Sequence, residues 1–265
     1  MMTVTDLLAY LDQSAPFAAA ADWDAVGLQI GDPSAEITRA AVCHEVTRAV
    51  VEHLTAEPCE VLVSYHSLLF QPTRSLIAGE TAEGLALDLA RLGVALVVVH
   101  TAFDCAEGGV AEALASALEL NNIRHLTQPG DERAVAIGRI GTSSDHVQQL
   151  GERASSVLGV RARVAVAAGL HGADAGLEQR VAVVPGSGSG FIEAATAEGA
   201  TVLVTGDVSH HRAQQARALG LSLIDAGHIP TERPGMVKLV ELVAGALDVV
   251  DLTHLDPHPW ESTDG

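Results

Sequence analysis

One short stretch of the chain, residues 205–235, is rich in imidazoles and carboxylates. These are the side chains with which proteins hold divalent ions such as Zn, Mn or Fe. The stretch contains no cysteine, which argues against an iron–sulfur cluster. We interpret it as part of a metal site whose candidate residues are Asp207, His210, His211, Asp225, His228 and Glu232.

A second group of candidate residues lies far upstream, as a site built from several loops requires. Tyr65 and His66 follow one apolar run, and His100 follows the next, with Asp104 close behind. His66 could alternatively be a core histidine. Asp104 could instead cap a helix beginning near Gly109. We interpret His100 as a group that hydrogen-bonds Asp104, since a ligand role is less favoured for it.

The spacing of His228 and Glu232 would place both side chains on one face of a helix. Pro230 and Pro234 argue instead for a loop that leads into a helix at Pro234, and such a loop could still bring both groups to one ion.

The adjacent residues His210 and His211 stand at a predicted helix start, so at least one of them must face solvent. Asp207 is as well explained by a helix N-cap as by a catalytic role.

A glycine-rich turn, PGSGSG at residues 185–190, follows a predicted strand and opens a helix. Its backbone N–H groups could cradle an anion. The glycine spacing fits neither a Walker motif nor the dinucleotide fingerprint. We therefore favour a tight turn that requires a positive φ angle.

The elements that would position these residues alternate between short apolar runs and helical periodicity, which is typical of the α/β class. Runs such as ALVVV lack polar alternation, which indicates strands covered on both faces by helices. The predicted strands are residues 40–43, 61–64, 95–99, 134–140, 162–167, 180–184, 201–205 and 221–224. The predicted helices include residues 47–56, 81–92, 109–118, 147–158, 191–198, 211–219 and 236–247.

Five candidates, His44, His66, His100, Asp207 and His228, lie at or just beyond the C-terminal ends of predicted strands. Ligands of open α/β sheets bind outside those ends. Inside a strand an unpaired polar group would cost a few kcal/mol on burial. The placement favours a crevice lined by several loops.

The polar segment 121–133 is the predicted boundary between two α/β lobes, and the tail from residue 256 is expected to be loose. We assign residues 1–125 together with 226–265 to the first lobe and residues 126–225 to the second.

The composition excludes several classes of protein. A net charge of −19 argues against binding nucleic acid through a basic surface. The longest apolar run is too short to span a membrane, and the acidic residue near the N-terminus does not fit a signal peptide. Three cysteines without a CxxC pair fit a reducing compartment and small core positions. We therefore expect a cytoplasmic protein with no membrane partner.

The chain resembles the Nif-three-like dinuclear metal proteins, also called GTP cyclohydrolase I type-two homologues. The matching segments occur in the family's order along nearly the whole chain. They are DWDAVGLQIGDP (22–33), SYHSLLFQP (64–72), VHTAFDCAEGGVAEALA (99–115), VVPGSGSGFI (183–192), TGDVSHH (205–211) and DAGHIPTE (225–232).

The resemblance implies two related α/β lobes with mostly parallel or mixed sheets, a metal crevice between them, and a homohexamer. It implies that His66 and Asp104 bind one ion, that His228 binds a second, and that Glu232 bridges the two.

The chain departs from the family pattern near the expected crevice. Tyr65 stands where the family has the first of two adjacent histidines, and a phenol needs the metal to remove its proton. The chain has His44-Glu45 where the family tends to have an aspartate, and Ala25 where it has asparagine. We hypothesise one robust ion site and a second that is weakened or re-ligated by His44, giving one or two ions per chain.

The leading functional hypothesis is a metal-dependent hydrolase of an unknown small molecule, nucleotide-like or phosphorylated, that acts through metal-activated water. His210, His211 or His100 could then shuttle a proton. The alternative is a non-catalytic, oligomeric metal-binding scaffold or regulator. A third hypothesis is a nucleotide-binding regulator that uses the turn at residues 186–190.

Overall fold

The computed structural model describes residues 2–127, 137–167 and 178–255. Two short 3₁₀ turns, Phe17–Ala19 and Gly188–Phe191, accompany the strands and α-helices. In chain order these are β1 (Met2–Thr3), α1 (Val4–Ser14), β2 (Gly27–Ile30), β3 (Glu36–Ile37), β4 (Arg39–Cys43), α2 (Arg48–Ala56), β5 (Val61–Ser64), α3 (Ala82–Leu92), β6 (Ala95–Val98), α4 (His100–Cys105), α5 (Val110–Ala117), β7 (Asn121–Leu126), β8 (Gly138–Ser143), α6 (Val147–Leu158), β9 (Arg163–Ala165), β10 (Gln179–Val183), α7 (Ile192–Ala197), β11 (Val202–Thr205), α8 (His210–Ala218), β12 (Ser222–Asp225), α9 (His228–Ala244) and β13 (Asp248–Asp251).

The chain forms two compact units. Unit 2 is the continuous segment Asp104–Lys238, and unit 1 holds the chain before and after it. The predicted boundaries between the lobes lie between residues 125 and 126 and between residues 225 and 226. The two compact units have their boundaries between residues 103 and 104 and between residues 238 and 239. Helix α5 belongs to unit 2 because Leu114 and Leu118 pack into a hydrophobic cluster of that unit.

Unit 1 is built on a sheet with the strand order β13-β4-β5-β6-β2. Its first four strands are parallel, and β2 runs antiparallel to β6. Strands β5 and β6 are buried at every position, as their largely apolar sequences VLVS and ALVV predict. Helices α2 and α3 bury Val50, Leu54 and Leu89 in the same cluster as Leu62 and Leu96 of the sheet.

Unit 2 is built on a sheet with the strand order β7-β8-β10-β11-β12-β9. Strands β10, β11 and β12 are parallel, and the outer strands are antiparallel to their neighbours. Two hydrophobic clusters contain alternate residues of the central strands, for example Val202 in one and Leu203 in the other. Helices therefore cover both faces of this sheet.

The predicted α/β class with mixed sheets is confirmed. Residues 121–126 of the predicted boundary segment form strand β7 and pair with β8. Four of its six residues are exposed, and its sequence NNIRHL lacks the alternation of apolar and polar residues that predicts a strand. Residues 134–136 of a predicted strand and the tail from residue 256 lie outside the described residues.

Among the described residues, none of the helices combines the length and the hydropathy that crossing a bilayer requires. The thiols of Cys43 and Cys59 are buried, as expected for small core residues, and Cys105 is partly buried.

Candidate metal centre

Four aromatic side chains cluster at the C-terminal edge of the parallel strands of unit 1. His44 follows β4, Tyr65 and His66 follow β5, and His100 follows β6. The ring centre of Tyr65 lies 5.4 Å from that of His44, 4.9 Å from that of His66 and 5.4 Å from that of His100. Three consecutive parallel strands thus end in imidazoles packed around one phenol, as their positions in the sequence predict.

Burial differs among the four rings. His44 and Tyr65 are each 1% exposed, whereas His66 and His100 are partly exposed. The carboxylate of Glu45 lies 4.0 Å from Nδ1 of His66. His66 is therefore not a fully buried core histidine, and its imidazole is accessible to an ion.

Asp24 fixes the orientation of His100. Its Oδ1 lies 2.9 Å from Nδ1 of His100, while Oδ2 accepts hydrogen bonds from the backbone N–H and the hydroxyl of Thr101. Asp104 was the predicted partner of His100, and Asp24 was not among the candidate residues. Because a carboxylate only accepts hydrogen bonds, this contact places the proton of neutral His100 on Nδ1 and leaves Nε2 as the acceptor.

The same network makes stability depend on pH. Burial raises the pKa of Asp24, but the hydrogen bond and charge of His100 and the donors of Thr101 outweigh it, so this pKa lies below its ordinary 3.8. Asp24 therefore contributes stability that is present above the ordinary value and is lost as pH falls through the lower folded-state value. We expect Asp24→Asn to be destabilised by about 1–3 kcal/mol at neutral pH. The difference from the wild type should shrink below pH 4 in urea titrations; a gap that stays constant down to pH 2 would contradict it.

In unit 2 the pair His228 and Glu232 occupies the first turn and a half of α9. The prediction of a loop up to Pro234 was wrong, because the helix begins at His228. Pro230 is the third residue of the helix, where an N–H group has no intrahelical partner to lose. Pro234 lies inside the helix, at the cost of one backbone hydrogen bond. The four-residue spacing consequently puts both side chains on one face.

The contacts of His228 favour a cation beside it. Its Nδ1 lies 2.8 Å from Oδ2 of Asp207, so the proton of a neutral ring is on Nδ1. Its Nε2 then presents a lone pair, yet it lies 3.1 Å from Oε1 of Glu232. Either a proton on this nitrogen or a metal ion held by the two atoms makes the contact favourable. The donor chemistry of unit 2 therefore fits a divalent ion.

Asp207 is not the N-cap of α8, because Ser209 caps that helix through its side chain. Asp207 has a φ angle of +53°, a region that non-glycine residues seldom occupy. We expect Asp207→Asn to weaken metal binding about 10–100-fold by loosening the orientation of His228. Competition against a chromogenic chelator measures this change. Glu193→Gln, at an acidic side chain on α7, is the control and should bind metal as the wild type does.

The glycine-rich turn places backbone directly against the His228–Glu232 pair. Gly186 has a φ angle of +64°, as the favoured interpretation of this turn requires. Its N–H donates to the hydroxyl of Thr231, and the N–H of Gly188 donates to the hydroxyl of Thr205. Both N–H groups are thus already used within the protein. The use of these two groups within the protein favours the tight turn over the anion cradle.

Asp104 lies within α4 and is 5% exposed. The N-cap of α5 is Gly109, with no side-chain cap, so the capping alternative for Asp104 was wrong. The guanidinium of Arg139 donates to the backbone carbonyls of Cys105 and Ala106 at the end of α4. Burial lowers the pKa of Arg139, and the charge of Glu112 opposes that shift. Arg139 therefore anchors the helix turn that carries Asp104.

His210 and His211 are both exposed at the start of α8, and their ring centres lie 5.6 Å apart. His210 lines a cleft next to the ion pair of Arg163 and Asp225. Asp225 also accepts hydrogen bonds from the backbone N–H groups of Val208 and Gly227. Asp225 therefore has a structural role in holding the two loops that precede α8 and α9.

Comparison with known proteins places the chain in context. Residues 2–257 match the Duf34/NIF3 (NGG1p interacting factor 3) family. A protein of Nostoc sp. named GTP cyclohydrolase 1 type 2 homolog is 34% identical, over 91% of this chain and 90% of that protein. A protein of the same name from Streptomyces coelicolor is 32% identical, over 98% of this chain and 90% of its own length.

Solved structures show the same fold. Reduced HcgD from Methanocaldococcus jannaschii superposes with a TM-score of 0.81 at 26% identity, covering 95% of this chain and 98% of that one. Staphylococcus aureus protein SA1388 superposes with a TM-score of 0.85 at 24% identity, covering 98% and 99%. The match along nearly the whole length, together with the relatives above 30% identity, shows that the chain belongs to the Duf34/NIF3 family.

Proposed function

We propose that this protein binds one or two divalent ions, Zn, Mn or Fe, and hydrolyses a small organic molecule. The observation that carries the proposal is the close approach of two potential metal ligands, Nε2 of His228 and Oε1 of Glu232, at 3.1 Å, with the other imidazole nitrogen held by Asp207. The imidazole cluster of unit 1 supports it with further nitrogen donors.

The proposed ligands are His66, Asp104, His228 and Glu232. Tyr65 and His44 are proposed as substitute ligands for a second ion. His44 and His66 each offer an imidazole nitrogen as a possible metal ligand, and Glu232 offers a carboxylate oxygen. Nitrogen and oxygen donors without thiolate suit Zn, Mn or Fe. The chemistry of the donors therefore fits the ions that the family resemblance implies.

A divalent ion held by these ligands would lower the pKa of a coordinated water to near neutrality. The residues of the chain have separate tasks in such a reaction. His100, with its proton on Nδ1 toward Asp24, offers Nε2 as a proton acceptor. His210 and His211, being exposed, are proposed to exchange protons with solvent. Asp207 acts through His228 and is a positioning residue.

Metal content per chain, measured by plasma mass spectrometry on untagged protein, tests this function first. One or two equivalents of Zn, Mn or Fe are expected, and none after gentle purification would refute the proposal. Tyr65→Phe then separates the two stoichiometries. Unchanged content of one ion supports a single site, whereas a fall from two ions to one assigns the phenol to the second.

The competing proposal is a metal-binding scaffold without turnover. The departures from the family pattern at Tyr65 and at His44-Glu45 favour it, because catalysis tolerates ligand changes less well than binding does. Cobalt-substituted protein distinguishes the two. An azide-induced change in the visible spectrum reveals an exchangeable coordination position, as hydrolysis requires. A spectrum that azide leaves unchanged supports a closed, structural ion.

The substrate class and the assembly are proposed from the relatives of the chain. Relatives carry names that refer to GTP cyclohydrolase, so GTP belongs in a substrate screen beside phosphate esters and amides. The family resemblance supports a homohexamer. The molar mass measured by light scattering as the protein elutes from a size-exclusion column tests this assembly. A monomer or dimer at micromolar concentration would contradict that assembly.

A further inference from the structure

Two large aromatic side chains lie exposed on unit 1, although aromatic residues make up only 3% of the chain. Trp23 is 59% exposed and Phe70 is 43% exposed. Their ring centres lie 5.7 Å apart with the planes tilted by 56°. We call this pair the aromatic shelf. Exposing two scarce aromatic rings side by side forgoes the free energy of burying them, which is the usual mark of a binding surface.

The aromatic shelf adjoins the imidazole cluster of unit 1. The ring centre of Trp23 lies 6.1 Å from that of His100, in an edge-to-face arrangement. His100 in turn lies 5.2 Å from His66, ring centre to ring centre. A molecule resting on Trp23 would therefore reach the proposed catalytic histidine and a proposed metal ligand within the same unit.

Hydrogen bonds hold the backbone on both sides of the shelf. Next to Trp23, Asp24 accepts from Thr101, and the backbone N–H of Ala21 donates to the hydroxyl of Thr101. Next to Phe70, the backbone N–H of Leu69 donates to the side chain of Gln29. The shelf is thus preorganised, which lowers the entropy cost of stacking a ligand on it.

The charges around the shelf select among flat ligands. Two carboxylates belong to the neighbourhood of the shelf: that of Asp24, the residue after Trp23, is held by His100 and Thr101, and that of Glu45 lies 4.0 Å from Nδ1 of His66. Tryptophan is the aromatic side chain that attracts cations most strongly to its face. A flat ring that is neutral or positively charged is therefore preferred over an anionic one.

We propose that the aromatic shelf of Trp23 and Phe70 binds the substrate by stacking with a flat nitrogen heterocycle of neutral or positive charge. The role as a substrate site rests on the proposed function, because it is the neighbouring histidines that would act on the bound molecule. The shelf itself is a binding site whether or not metal is present.

The test uses the full chain carrying Trp260→Phe, in which Trp23 is the only tryptophan. The probe is N-methylpyridinium, and N,N-dimethylpiperidinium has the same charge without a flat π system. Saturable quenching of Trp23 fluorescence by the first compound, and none by the second, is expected. Quenching that grows linearly without saturation would show mere collisions and overturn the proposal.

Variants locate the bound probe. Phe70→Leu in the same background should weaken binding severalfold, and Ile77→Ala, at a 69% exposed apolar side chain, should leave it unchanged. Trp23→Leu should weaken binding of the probe roughly tenfold, as measured by saturation-transfer NMR. Equal affinity in Trp23→Leu and the wild type would refute the shelf as the site. Emission from Trp23 that changes with protein concentration and not with the probe would also refute it. That result would assign this surface to a contact between two copies of the chain.

Metal content determined on the same samples separates the two proposals. Saturable binding by metal-free protein that cannot be loaded would keep the shelf and reject the hydrolase. A metal-loaded enzyme without saturable binding of the probe would reject the shelf and keep the hydrolase.

Discussion

Glu232→Gln is expected to abolish retention of metal, with affinity lowered by at least about 100-fold. Glutamine keeps the shape of the side chain, which is 3% exposed, but removes the negative charge that stands 3.1 Å from Nε2 of His228. A neutral amide is a poor ligand for Zn, Mn or Fe, so the charge interaction of this side chain with a bound ion would be lost. Metal content after dialysis against a weak chelator measures the effect.

Glu241→Gln is a matched control for that experiment. Glu241 lies on the same helix but is exposed, so removing its charge should leave metal content within error of the wild type. Any hydrolytic activity should fall in parallel with metal in Glu232→Gln and stay unchanged in the control. Full metal occupancy in Glu232→Gln would refute the bridging role of this residue.

Gly186→Ala is expected to disrupt the same pair from the opposite side. A Cβ atom at this position would lie 2.4 Å from Oε1 of Glu232 and 3.2 Å from Nε2 of His228. The φ angle of +64° adds about 1–2 kcal/mol of backbone strain for alanine. The carboxylate has to move, so we expect lower stability and a loss of metal affinity that approaches that of Glu232→Gln.

Gly190→Ala provides the comparison within the same turn. A Cβ atom there meets nothing within 4 Å. The variant should therefore match the wild type in metal content and lie within about 1 kcal/mol of its stability. Denaturant unfolding with and without added metal separates strain from lost binding. If Gly186→Ala loses stability but keeps its metal, the close approach of the turn would be structural only.

The parts that the sequence predicts well are those in which one physical signal dominates. Residues 61–64 are buried at every position, and the predicted strand matches β5 without error. Because His66 and His228 follow buried strands, their place at the end of a sheet could be predicted as well. Helix α6 was also predicted with its observed bounds, since an amphipathic pattern ends at Gly159 in the left-handed conformation.

Other parts depend on tertiary contacts that local patterns do not contain. The start of α9 was missed because Pro230 and Pro234 argue against a helix, whereas the hydroxyl of Thr231 ties its first turn to the backbone of Gly186 and Gly227. Strand β7 was missed because only pairing with β8 makes its polar residues a strand. Asp24 was missed because its partners, His100 and Thr101, lie more than seventy residues away.

The insertion of unit 2 into unit 1 has a consequence for synthesis on the ribosome. Strand β13, at Asp248–Asp251, pairs with β4 at Arg39–Cys43, so unit 1 lacks an edge of its sheet until nearly all of the described chain has emerged. Unit 2 is continuous and can fold earlier, while the first part of unit 1 waits for its last strand. During that interval we expect the apolar strands β4, β5 and β6 to require protection from aggregation by a chaperone.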